Sequence, residues 1–204
     1  MGFTLTEWKV LLVAAALAVW CAACTTPSPT GTSFDQAHGL LVEDEETLEE
    51  LLSSAVPGDV IELAPGNFSA QIVLPEGVEL RGSGAAETQV IGSVQVLGGG
   101  TLRDFSLRCP MGTDVSAGVS GVANGLVLEG LRIAGYPVGI QVGSQDAGLV
   151  LKRSEVLSNQ VGLEVAGTGL THVESNLIAY QLLSGIRCQS QANLAVLGNT
   201  LFGN

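Results

Sequence analysis

Positive charge is scarce in this 204-residue chain: eight Lys and Arg stand against 20 Asp and Glu, a formal balance of −12. Nucleic acid is held through clustered Lys and Arg. The basic residues here are few and scattered, so nucleic acid is excluded as a partner. Aromatic residues make up 4% of the chain. Both tryptophans, Trp8 and Trp20, fall in a stretch that reads as a removable leader, which leaves a body without the largest ring for stacking on sugars. The two histidines, His38 and His172, lie far apart, and His172 stands alone at an outward position. No Cys/His/Met cluster and no DxD run is present, so no metal site and no cofactor are expected. No apolar run reaches the roughly 20 residues of a spanning helix.

Glycine and small aliphatic residues are abundant instead, with 27 glycines, a composition suited to short strands and tight corners. The N-terminus is set apart from this body. "MGFTLTEWK" leads into the apolar "VLLVAAALAVW", which ends in small residues as an export signal does. "CAAC" follows and resembles a bacterial lipobox, although Cys21 replaces the usual Leu and the basic n-region is thin. The resemblance implies a signal peptide over 1–23, with diacylglycerol carried by Cys24. An ordinary secretory signal is the alternative. Residues 24–39, rich in Pro, Ser, Thr and Gly, read as a flexible tether. The expected location is therefore the cell envelope, outer-membrane or periplasm-facing. The membrane is reached through acyl chains that contribute roughly 0.8 kcal/mol per buried methylene.

The body repeats. "LRDFSL", "LEGLRI", "LKRSEV", "VESNLI" and "VLGNTL" begin at Leu102, Leu128, Leu151, Val173 and Val196, at intervals of 26, 23, 22 and 23 residues. Their first and sixth positions are always aliphatic. Between them recur Gly139-Ile140, Gly162-Leu163 and Gly185-Ile186, 23 residues apart. A unit this short cannot bury an apolar face alone; stacked units share one interior. Leucine-rich repeats have similar lengths, but their fixed spacing and helical segment are missing. A β-sandwich would not need equal intervals. The pattern predicts an all-β parallel β-helix of about six coils.

"AVPGDVIELAPGNFSAQIVLPEGVELRGSG", Ala55 to Gly84, resembles the first coil of right-handed parallel β-helix proteins of the pectin-lyase-like superfamily. The carriers are the "PGD" corner at Pro57 to Asp59, the "PG-aromatic" corner at Pro65 to Phe68, and "GVELRGSG" from Gly77. The likeness covers roughly 48–204 and implies a right-handed coil. It does not select a function, because that superfamily holds lyases, hydrolases, esterases and inert surface proteins. Residues 40–57 are expected to form an N-terminal cap. Its helix starts with a capping box at Thr47 and Glu50 and lays Leu48, Leu51, Leu52 and Val56 over the first coil. The coils occupy 58–204.

Ser154, Asn176 and Asn199 share one column and are expected to form a structural ladder at an inward corner. Arg103, Glu129, Lys152 and Glu174 share an outward column of alternating charge, as do Glu164 and Arg187. Tyr136 and Tyr180 fall near one corner and offer a thin aromatic platform. Cys109 and Cys188, about three coils apart, are expected to be free thiols, with Cys188 buried.

Enzymes of the resembled superfamily need clustered acids, either to hold calcium beside a Lys or Arg base or to act as a close hydrolase pair. Asp104 has no second carboxylate above it, and Glu129 and Glu174 are separated by Lys152. The expected function is a non-catalytic cell-envelope lipoprotein presenting an elongated surface for binding or display. The alternative is a carbohydrate-active enzyme, lyase- or hydrolase-like, or a degenerate relative of one. Its surface polar site would be Glu129, Lys152, Arg153 and Glu174, and its ligand a polysaccharide or a protein. The final "GNTLFGN" stops where another strand is due, so further coils are expected to follow. Self-association through an open C-terminal coil is the other reading.

Overall fold

The computed structural model describes residues 40–122, 124–144, 148–189 and 191–204. The leader, Cys24 and the whole tether lie outside them.

Short aliphatic strands separated by corners wind into a parallel β-solenoid of about 7 turns. Each full turn gives one strand to each of three sheets. The first sheet stacks Leu40–Val42, Val60–Leu63, Val78–Arg81, Gly100–Arg103, Leu126–Glu129, Leu149–Lys152, Leu170–Glu174 and Asn193–Leu197. The second stacks Gly66–Phe68, Thr88–Ile91, Ser106–Arg108, Arg132–Ala134, Glu155–Leu157, Leu177–Ala179 and Thr200–Phe202. The third stacks Gln71–Leu74, Ser93–Val96, Ala117–Val122, Val138–Ser144, Val161–Gly167 and Ser184–Cys188. The turn count exceeds the six coils expected because the first rung is short. Ile61 pairs with Leu80 only 19 residues later, so two turns fit before Leu102.

The aliphatic columns fall in register. Leu102, Leu128, Leu151, Val173 and Val196 pair in succession, as do Leu107, Ile133, Val156, Ile178 and Leu201. Both columns line the shared lumen and are at most 1% exposed until the last rung, where Val196 and Leu201 reach 43% and 44%. Burial at this level removes an aliphatic side chain from water almost entirely, contributing about 1.5–3 kcal/mol each. The outermost rung has no described neighbour to supply that cover. Cys188 shows the same effect: it sits above the buried Val165 but is exposed, contrary to the expected burial.

Corners are made by a left-handed residue followed by an inward one. At the first corner the left-handed positions are Asp104, Gly130, Arg153, Ser175 and Gly198; at the second they are Gly135, Ser158, Tyr180 and Gly203. A non-glycine residue here carries a strain of roughly 1–2 kcal/mol. That strain is tolerated because the residues on either side are fixed by the sheets.

At the N-terminal end, helix α1 (Glu45–Ser54) covers the first rung with Leu48, which is 1% exposed, while Leu51 and Leu52 pack partly against the core. The cap differs from the predicted one. Asp44, not Thr47, is the N-cap, and its carboxylate accepts the Thr47 N–H at 2.8 Å. Glu45 reaches across to accept the Ser69 N–H at 3.0 Å, which pins the helix to a corner of the first rung. Both acids titrate below their usual range because they accept these backbone N–H groups. Val56 lies outside the covering face, at 58% exposure, because the chain is already extended at Ala55.

Candidate functional site

The outward column of the first sheet concentrates the charge. Register pairs Arg81, Arg103, Glu129, Lys152 and Glu174 on successive rungs. From Arg103 onward, side chains of opposite sign therefore stand about 4.8 Å apart along the stack. Glu129 is the centre of this group. Its oxygen Oε2 lies 3.2 Å from Arg103 and 3.0 Å from Lys152, close contacts that are not aligned as hydrogen bonds. Arg153, from the adjoining corner, pairs with Oε1. Three cations close over one carboxylate, and the Glu129 side chain is left 6% exposed. An outward position has thus become a buried one.

Of the four polar residues singled out from the sequence, the fold brings Glu129, Lys152 and Arg153 together. Glu174 is exposed and stands two rungs from Glu129 with Lys152 between. The arrangement is an ion-pair stack. Arg103 also comes within 4.0 Å of Glu79, so it bridges that carboxylate and Glu129. The stack continues toward the N-terminus through Arg81, which bonds Glu79 at 2.6 Å and pairs with Glu62 at 3.3 Å. Its guanidinium is held more firmly protonated, chiefly by the hydrogen bond to Glu79. On the third sheet Arg187 pairs with Glu164 at 3.4 Å.

The first corner carries a ladder of side chains. Leu131 N–H donates to Ser154 Oγ at 3.1 Å, Ser154 N–H to Asn176 Oδ1 at 2.9 Å, and Asn176 N–H to Asn199 Oδ1 at 2.8 Å. The amide nitrogens of Asn176 and Asn199 donate to the Leu151 and Val173 carbonyls. These groups connect rungs to one another.

A second ladder, not foreseen from the sequence, occupies the other corner. Tyr136, Asn159 and Gln181 each donate their backbone N–H to the side-chain oxygen of Asn159, Gln181 and Asn204 respectively, at 2.8–3.2 Å. Its signal was the same 22–23-residue interval, masked by Gln181 in place of Asn. This ladder also corrects the aromatic platform. Tyr136 is the inward residue of its corner, 1% exposed, and its hydroxyl donates to the Gly92 carbonyl at 2.7 Å. Burial raises its pKa well above the ordinary phenol range. Tyr180 is the left-handed residue one position earlier in the motif, so it points outward. It is 60% exposed and stands edge-to-face on Phe202 with centroids 4.9 Å apart.

Among the described residues no group of three or more His, Cys, Asp or Glu could hold a metal ion. Cys109 and Cys188 are both free thiols. Burial raises the Cys109 pKa, which lowers its thiolate fraction and its reactivity. No helix among the described residues is long and apolar enough to cross a membrane. No protein-family model, curated protein or solved structure matches this chain.

Proposed function

We propose that the chain is an exported, lipid-anchored β-helix protein of the cell envelope, of the right-handed pectin-lyase-like kind. Its elongated body serves binding or display rather than catalysis. The observation that carries this reading is the state of Glu129. The most deeply placed carboxylate of the charged face is neutralised by Arg103, Lys152 and Arg153, which suits it to fixing register and not to acid–base work. The lipobox-like "CAAC" and the polar tether after Cys24 support anchoring at a distance from the bilayer.

Two measurements test it. In a bacterial host fed a labelled fatty acid, the full chain should take up label and Cys24→Ser should not; label retained by Cys24→Ser would refute the anchor. The exported protein should release no reducing ends or unsaturated products from acidic and neutral polysaccharides. Turnover that disappears in Glu129→Gln would refute the non-catalytic reading.

A further inference from the structure

Among the described residues, one Lys or Arg stands outside the ion-pair scheme. Arg81, Arg103, Arg132, Lys152, Arg153 and Arg187 each pair with a carboxylate. Arg108 is exposed and, among the described residues, has no carboxylate or hydrogen-bonding partner. In a chain of net charge −12, a guanidinium left without a counter-charge beside a groove is open to an external partner.

The groove is on the outer face of the second sheet and has a volume of about 390 Å³. Asn67, Gln89, Ser106 and Arg132 follow one another there on successive rungs. Arg108 stands two residues along its strand from Ser106 and lines the same groove. Ser106 is buried and its hydroxyl donates to the Thr88 carbonyl at 3.2 Å, so it forms a fixed floor. The side-chain amides of Asn67 and Gln89 have no partner among the described residues. Arg132 is held by Glu155 at 2.7 Å on the far side. Two free amides and a free guanidinium thus line one polar depression. The fork of a guanidinium matches the two oxygens of a planar carboxylate, and amide N–H groups add donors beside it. Glu87 also lines the groove. It would repel a doubly charged ligand while accepting hydrogen bonds from a ligand's own donors.

We infer that this groove binds a singly charged carboxylate ligand that carries hydrogen-bond donors of its own, with Arg108 as the anion contact and Asn67 and Gln89 beside it. The site rests on the reading of the body as a binding surface and names the chemistry it accepts.

The test is a titration of the ¹⁵N-labelled exported protein carrying Cys24→Ser. The side-chain N–H signals of Arg108, Asn67 and Gln89 are followed while acetate, gluconate and inorganic phosphate are added at constant ionic strength. Gluconate should shift these signals saturably and at several-fold lower concentration than acetate, with phosphate weakest. Arg108→Gln, a surface change that breaks no hydrogen bond or ion pair among the described residues, should abolish the shifts while the rest of the spectrum stays unchanged. Arg187→Gln should leave them intact. Three results would overturn the assignment: no saturable shift, shifts that survive Arg108→Gln, or phosphate binding as tightly as gluconate. Polysaccharide turnover would remove the display reading without touching these shifts, so the two failures are separable.

Discussion

Asn176 Oδ1 accepts the backbone N–H of Ser154 at 2.9 Å across 22 residues of chain, while its amide nitrogen donates to Leu151. One side chain therefore completes two buried backbone groups that the corner takes out of the sheets. Asn176→Leu should leave both without partners at a cost of about 2–4 kcal/mol, since each orphaned buried polar group costs roughly 1–3 kcal/mol. Asn176→Ala should cost about the same with an added void. The urea midpoint of unfolding reads the loss. A midpoint within experimental error of the parent would show that the ladder contributes nothing.

The ion-pair stack is tested as a coupling. Glu129→Ala should destabilise by about 2 kcal/mol, because three cations lose their common counter-charge, although their own partial exposure tempers the loss. Adding Lys152→Gln should recover part of it, because one of the mutually repelling cations is gone. A double-mutant cycle on urea midpoints should give a coupling near 1 kcal/mol that shrinks at high salt.

Removing a Cβ at Ser175 and adding one at Gly92 should act in opposite directions. Ser175 is exposed and sits at φ 56°, so Ser175→Gly relieves strain and should stabilise by about 0.5 kcal/mol after the added freedom of the unfolded chain is subtracted. At Gly92 a Cβ would land on the Ala70 carbonyl. Gly92→Ala should cost about 3 kcal/mol through overpacking. Thermal melting of the two variants reads both signs.

Alkali should expose the buried phenol. Burial raises the pKa of Tyr136 above its value near 10 in the unfolded chain. Its contribution is fully present below about pH 10 and falls as pH rises from there toward the folded value. Unfolding midpoints measured at pH 8 and pH 10.5 should drop for the parent. In Tyr136→Phe the drop should be smaller, and at pH 8 that variant should already be weaker by about 1 kcal/mol, because the Gly92 carbonyl loses its donor.

The solenoid was legible because its burial pattern is linear. Leu102, Leu128, Leu151 and Val173 lie one rung apart and need the same residue class, so a fixed interval betrays them. Corners were legible only where one residue type recurs. Asn176 and Asn199 repeat visibly, whereas Gln181 breaks the run from Asn159 to Asn204. A corner also turns the chain within two residues, so a shift of one position separates an inward side chain from an outward one. That is why Tyr136 and Tyr180 looked equivalent and are not. The burial of Glu129 escaped because the column gives the order of charges and not their reach. Arg153 joins from a neighbouring column that no alternation pattern connects to it. Leu40–Val42 escaped because three residues before an acidic run carry no period at all, and only the exposed edge of Val60–Leu63 makes them a strand.

Both corner ladders point one way. Asn159, Asn176 and Gln181 each take a hydrogen from the rung before and offer their own backbone hydrogen to the rung after. The stack therefore has a grammar: a duplicated block such as 154–175, spliced in just ahead of Asn176, would meet the same acceptor above and the same donor below. The body is thus a ruler whose length can be set in steps of about 4.8 Å, while the helical lid and the final rung stay as they are.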